Sequence, residues 1–199
     1  MTNHFSFASL RLLRAASFAI ALSLLFALSI PATSFAADEE YPEGKIKLFG
    51  KRFSLALTLS GAGPTSSKFE NQFGGAGFGF GLTLFRPEMK RGLRFDPDVQ
   101  FAYFTSQGRE ALIAGLGAGI HYNFVDPKEE SAVPFFELHA DPYYVNLTGD
   151  SSAIVGGLNA ALGMEFNDTV SMKIRYDYIG QVNGYDPSLW SADVTVKVW

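Results

Sequence analysis

The sequence predicts an all-β fold, an eight-stranded antiparallel up-and-down transmembrane β-barrel preceded by a cleaved signal peptide. Three observations predict it. About eight stretches alternate with a period of two, the signature of half-buried strands, and no helical period appears after the first 36 residues. Within each stretch one parity is large and apolar while the other is small or charged. The connections between stretches are short, which favours neighbouring strands running up and down, and an even strand number lets the sheet close without an edge.

Residues 1–36 differ in kind from the rest. Arg11 and Arg14 precede an apolar run, "AASFAIALSLLFALSI" (15–30), that ends at Pro31 and is followed by small residues Ser34 and Ala36 at the positions a signal peptidase reads. This pattern is a secretory signal peptide cut between Ala36 and Ala37, for export through the Sec pathway. The run is shorter than the roughly 20 residues that a membrane-spanning helix needs. The whole chain has 16 basic and 20 acidic residues and no Cys. A disulfide scaffold, a Cys-ligated metal and a lipoprotein anchor are therefore excluded. Loss of Arg11 and Arg14 with the leader leaves 14 basic against 20 acidic residues, a charge of −6 that gives no hint of a nucleic-acid partner. A polar entry, "ADEEYPEGK" (37–45), leads into the repeats, so the expected organisation is a leader (1–36), a periplasmic N-terminal segment (37–50) and a barrel (51–199).

The strands are expected at 51–60, 74–84, 92–104, 111–124, 134–146, 152–166, 170–180 and 190–199, most of them long enough for tilted spans. The first sets Phe53 against Arg52, Thr58 and Ser60. The second opposes Phe78, Phe80, Leu82 and Leu84 to Gly75, Gly77, Gly79, Gly81 and Thr83. The third sets Phe95 and Tyr103 against Arg94, Asp96 and Asp98. The fourth opposes Leu112, Leu116, Ile120, Tyr122 and Phe124 to Gly115, Gly117, Gly119, His121 and Asn123. The fifth sets Phe136 and Tyr144 against Glu137, His139 and Asp141. The sixth opposes Ile154, Leu158, Leu162, Met164 and Phe166 to Val155, Gly157, Asn159, Ala161, Gly163 and Glu165. The seventh alternates without a fault, with Val170, Met172, Ile174, Tyr176 and Tyr178 opposed to Ser171, Lys173, Arg175 and Asp177. In the eighth, Trp190, Ala192, Val194, Val196 and Val198 oppose Asp193, Thr195 and Lys197.

The large parity belongs outside. Eight strands enclose a space that side chains just fill, and several dozen bulky groups would overfill it. Rows of glycine facing water would weaken the strands and pack nothing. With the small parity inside, glycines of the even strands leave room for long charged side chains of the odd ones. The outer face then carries two aromatic girdles, Phe53, Phe95, Phe124, Phe136 and Phe166 near one rim and Tyr103, Tyr144, Tyr178 and Trp190 near the other. The runs "GAGFGFG" (75–81) and "GLGAG" (115–119) are lumen faces rather than phosphate loops, which need G-x-G-x-x-G opening a helix.

A secretory leader, no Cys, eight alternating strands and the terminal aromatic Trp199 together resemble the small outer membrane barrels of Gram-negative bacteria: the outer membrane protein A transmembrane domain and relatives of the OmpX, OmpW and NspA kind. The resemblance is architectural and covers the mature chain. It implies a monomer in the cell outer membrane, contacts with its lipid and lipopolysaccharide, and insertion by the barrel-assembly machinery, which reads a terminal aromatic. Val198, Val196, Val194 and Ala192 are out of step with Trp199.

With the first strand running outward, inward charges crowd the periplasmic end. Arg52, Arg94, Asp96, Glu137, Glu165, Lys173 and Lys197 lie there, Asp193 shares their face, and Asp98, His139, Asp141, Arg175 and Asp177 lie nearer the middle. Buried unpaired charges are costly, so these residues are expected to pair. Lys173, Arg175 and Asp177 are expected to reach toward Asp98, Glu137 and Asp141. Above them a small vestibule is expected, lined by Thr58, Ser60, Gly77, Ala153 and Val155. "ELHAD" (137–141) projects Glu137, His139 and Asp141 on one face; a metal site or acid–base cluster would use such groups, but a single His with no nucleophile beside it fits the charge network better. No cofactor, metal or catalytic residue is expected. The function expected is a structural or surface-interaction role with a charged, plugged lumen. A narrow channel for small or apolar solutes is the alternative. A lipid A-modifying enzyme ranks below both, because such barrels need a His at the lipid face or outer rim, and His121 and His139 both have inward parity.

Overall fold

The computed structural model describes residues 46–48, 51–85, 92–125, 131–166 and 169–198. The leader, most of the 37–50 segment, Trp199 and much of the charged turns at 85–92, 125–133 and 167–169 lie outside the described residues.

Among the described residues nine strands follow in order: β1 (Ile46–Leu48), β2 (Lys51–Pro64), β3 (Gly77–Phe85), β4 (Gly92–Ser106), β5 (Arg109–Asn123), β6 (Ala132–Leu147), β7 (Ala153–Phe166), β8 (Val170–Ile179) and β9 (Leu189–Lys197). Each pairs antiparallel with the next, and β2 also pairs with β9, from Ala56↔Lys197 to Pro64↔Leu189. That last ladder closes β2–β9 into an eight-stranded barrel; β1 only folds back on the start of β2, with Ile46 opposite Phe53. Closure leaves no wall strand with an open edge, which is the condition for crossing a bilayer with strands.

Two tight two-residue turns stand at the rim opposite the chain ends, one joining β4 to β5 and one inside the longer β8–β9 connection. Gln107 and Gly108 have φ of 50° and 79°, and Asn183 and Gly184 have 53° and 76°, the left-handed pair whose twist matches antiparallel strands.

The wall obeys the parity rule. Leu57, Phe80, Leu116, Leu158, Leu162 and Ile174 are among many large apolar side chains on the outer face that remain exposed, Ile174 at 62%. An apolar band of that extent is not tolerated in water by a monomeric soluble protein, whereas in lipid it is the solvent-matching surface. The opposite parity, including Asp96, His121, Asp141, Arg175, Asp177 and Asp193, is buried inside.

A second element departs from the all-strand expectation. A helix, α1 (Ser67–Phe73), stands between β2 and β3, with Ser66 as its N-cap. It turns Phe69 and Phe73 into the barrel mouth, both fully buried. Two apolar residues one turn apart after a capping serine are its sequence signature, yet seven residues are too few for a helical period to register.

Candidate functional site

The candidate site is the lumen, built in three tiers from strands that each contribute alternate residues. At the floor, nearest the chain ends, Arg94 Nε lies 2.6 Å from Asp96 Oδ2 on its own strand, and Lys197 pairs with Glu165 across the interior. Both cations sit by the face of Phe85, 5.7 and 5.1 Å from its centroid. Phe85 closes the floor from a position that the sequence assigns to a turn. The side chain of Arg52, expected at this level, lies outside the described residues.

Just above, Glu137 accepts from Lys173 Nζ at 2.5 Å and lies 2.8 Å from His121 Nδ1. His121 Nε2 is 2.7 Å from Asn123 Oδ1, and its ring stacks on Phe135 at 4.6 Å. In the middle tier His139 Nδ1 is 3.0 Å from Asp98 Oδ1. Arg175 bonds Asp177 through Nε at 3.0 Å and reaches Asp193 through Nη1 at 3.2 Å. Asp98 and Asp141, toward which Arg175 was expected to reach, are held by other groups. The reason is geometric: residues i and i+2 share a strand face, so Asp177 is at hand on the same strand and Asp193 on the adjacent one. Gln100 Nε2 donates to Tyr143 Oη (2.8 Å) and Asp141 Oδ2 (3.1 Å), Tyr143 Oη–H donates to Asp177 Oδ1 (2.9 Å), and Asn159 Nδ2 donates to Asp141 Oδ2 (2.5 Å). Gln100, Tyr143 and Asn159 are uncharged, and a search for inward charges passes over them.

The upper tier corrects the expected vestibule. Phe69 and Phe73 of α1 pack with Phe104, Ile113, Tyr143, Val145, Leu147, Ile179 and Leu189 from the strands and Val182 from the β8–β9 connection. Ala153 and Val155, expected to line open space, pack against this cluster. Phe69 meets Phe104 edge-on at 5.6 Å, and Phe73 meets Tyr185 at 5.4 Å. Lys68 ties the helix to the β8–β9 loop, donating to Gly184 O at 2.8 Å while lying 4.7 Å from the Tyr185 ring centroid. Thr65 N and Oγ1 both donate to Ser188 O. A small pocket with room for about one water remains, bordered by Thr58 and Ser60, two of the residues expected to line the vestibule, and by Asp98, Gln100, Lys173 and Arg175.

On the outer wall Phe95, Phe124, Phe166, Tyr144, Tyr178 and Trp190 are exposed, and Phe53, Phe136 and Tyr103 are half-buried among their neighbours. Trp190 packs on Tyr176 at 4.8 Å and Tyr103 on Phe78 at 5.5 Å.

Fold and outer surface together define a class: the small eight-stranded transmembrane barrel with an apolar outside. No family model and no curated protein matches the chain. Solved structures of this class do. Neisserial surface protein A superposes with a TM-score of 0.56 at 21% identity, covering 73% of this chain and 96% of its own. The outer membrane enzyme PagL superposes with a TM-score of 0.55 at 14% identity, covering 72% of this chain and 98% of its own. At such identities the likeness is one of fold.

Proposed function

We propose that this chain is a monomeric integral protein of the Gram-negative outer membrane with a structural or surface-interaction role, its plugged lumen carrying no ion current from one side of the membrane to the other. One observation carries the reading: the lumen is occupied along its length, by ion pairs at the floor and middle and by the α1 cluster at the mouth. The outer membrane is favoured because barrels of this fold include a neisserial surface protein and an outer membrane enzyme. Export by the Sec pathway, insertion by the assembly machinery and contact with lipopolysaccharide belong to the same proposal. Planar bilayer recordings of the purified protein test it: silence is expected, and stable, ion-sized openings would replace this reading with the narrow channel.

The enzyme reading has support from PagL, which shows that the fold can carry catalysis. In this chain His121 and His139 are 2% and 5% exposed and lie inside the barrel, so neither meets a substrate at the lipid face. Mass spectrometry of lipid A from cells with and without the protein is expected to give identical spectra; an acyl-chain difference between them would establish the enzyme instead.

A further inference from the structure

Among the described residues, the middle of the lumen has more negative charge than its cations balance. Asp98, Glu137, Asp141, Asp177 and Asp193 face Lys173 and Arg175. The floor pairs, Arg94 with Asp96 and Lys197 with Glu165, are balanced among themselves. Even with His121 and His139 both protonated, five carboxylates against four cations leave this tier negative. A buried charge without a counter-charge is strongly destabilising.

The excess has a location. Asp98, His139 and Asp141 each offer one ligand atom, and the three atoms lie within 4.8 Å of one another. Asp141 is 3% exposed; its Oδ2 accepts from the Gln100 and Asn159 amides and lies 3.2 Å from Tyr143 Oη, while its Oδ1 is buried and has no hydrogen-bond partner. Its direction is set by Gly117. A Cβ placed on Gly117 would stand 1.6 Å from Asp141 Oδ1, so that oxygen lies over β5 at the residue paired with Asp98. A Cβ on Gly119 would likewise meet the His139 ring at 2.4 Å. The glycines of "GLGAG" thus provide the clearance through which two β6 side chains reach a β4 carboxylate. The β5–β6 ladder also skips two positions here, between Gly115↔Tyr143 and Ala118↔Ala140, where Pro142 has no N–H to give.

We infer that Asp98, His139 and Asp141 form a binding site for one divalent transition-metal ion, of the zinc or manganese kind, inside the barrel. One imidazole and two carboxylates are a donor set for such ions, and the +2 charge offsets the excess. The ion takes the place of the proton that His139 Nδ1 and Asp98 Oδ1 share, so that proton leaves on binding. Asp98 borders the water-sized pocket, from which a water can fill an open coordination position.

Zinc and cobalt titrations of the tag-free mature chain in detergent test the site. One Zn²⁺ per chain is expected by calorimetry, with proton release and, for Co²⁺, visible absorption bands. Loss of a group that only hydrogen-bonds a metal ligand costs about 10–100-fold in affinity, so loss of a ligand itself, in His139→Ala or Asp98→Asn, should weaken binding by at least about tenfold. Glu110→Gln, on the exposed rim, should leave it unchanged. Should the variants fail to fold, the imidazole nitrogen resonances of the unmutated protein give the answer, because His139 should shift on adding Zn²⁺. The inference fails if the folded wild type binds no Zn²⁺ at millimolar concentration, or if His139 neither shifts nor matters for affinity. It also fails if Asp98→Asn raises the unfolding midpoint without metal while Zn²⁺ has no effect, since a proton would then carry the balancing charge.

Discussion

The lower and upper halves of the lumen fill the same eight-stranded cylinder by opposite means. Below, charged and amide side chains interlock, and specificity comes from direction: Arg175 must meet Asp177 and Asp193, and Gln100 must bridge Asp141 and Tyr143. Above, α1 drops two phenylalanines into a cup of Phe104, Ile113, Val145 and Leu147, and the fit is one of volume. A polar network fails as a unit when one member goes, because the partner left behind is a buried charge. An apolar plug fails by degrees. The barrel thus joins a brittle half to a forgiving one, with Tyr143 at the boundary, its ring in the plug and its hydroxyl in the network.

Removing the central cation should have the largest effect. Arg175→Met strands Asp177 and Asp193 together, and loss of one partner of a buried pair costs about 3–5 kcal/mol. Urea unfolding of the protein in vesicles should show that drop. A loss under about 1 kcal/mol, the scale of an exposed pair, would mean that water reaches the lower lumen.

The upper half should respond differently to a comparable deletion. Phe69→Ala removes a fully buried ring and should cost about 3 kcal/mol, the lower end of the Phe→Ala range, since the short helix that carries it can settle toward the strand residues below. Bilayer recordings should still be silent, because the network below is intact. Current through this variant would show that the plug, and not the charges, is what closes the barrel.

Gly117→Ala probes the lower half by shape instead of charge. The added methyl collides with Asp141 Oδ1, and forcing an extra carbon into a packed interior costs about 1–3 kcal/mol. Denaturant unfolding measures it. A neutral result would mean that Asp141 turns away easily and that its orientation over β5 is not fixed.

The same contrast explains what could be read from sequence. All eight wall strands were legible, because in β8 or in the lower parts of β4 and β6 an apolar outer residue alternates with a charged inner one. Near the upper rim that contrast fades: Phe104 follows Tyr103, and Tyr143, Tyr144 and Val145 run together, so inner and outer faces are both large and apolar. A reading that equates small or charged with inside sees open space there, where the structure has a core. Strand β2 runs to Pro64, beyond its expected end at 60, for the same reason: "GAGP" has no alternation to extend it, yet it pairs with β9. The middle tier was half legible. Glu137, His139 and Asp141 share a face by spacing alone, but Asp98 comes from a strand about 40 residues earlier, and only the ladders β4–β5 and β5–β6 bring it alongside.

The smallest effect expected tests whether α1 needs its own local stability. Ser66 caps the helix weakly, its Oγ accepting from Phe69 N at 3.5 Å, the outer limit for such a bond. The helix is also pinned from outside by Lys68 on Gly184 O, from below by Phe69 and Phe73, and at its exit by Gly74 N donating to Glu70 O. An N-cap serine is typically worth about 1 kcal/mol, and a helix this short cannot stand without tertiary packing. Ser66→Ala should therefore cost about 0.5 kcal/mol in global unfolding. The amide exchange of residues 67–73 should quicken by a similar free energy, roughly twofold. If the same substitution lowered global stability as much as Phe69→Ala does, the helix would be a cooperative part of the barrel core and not a stopper held in place by its two rings.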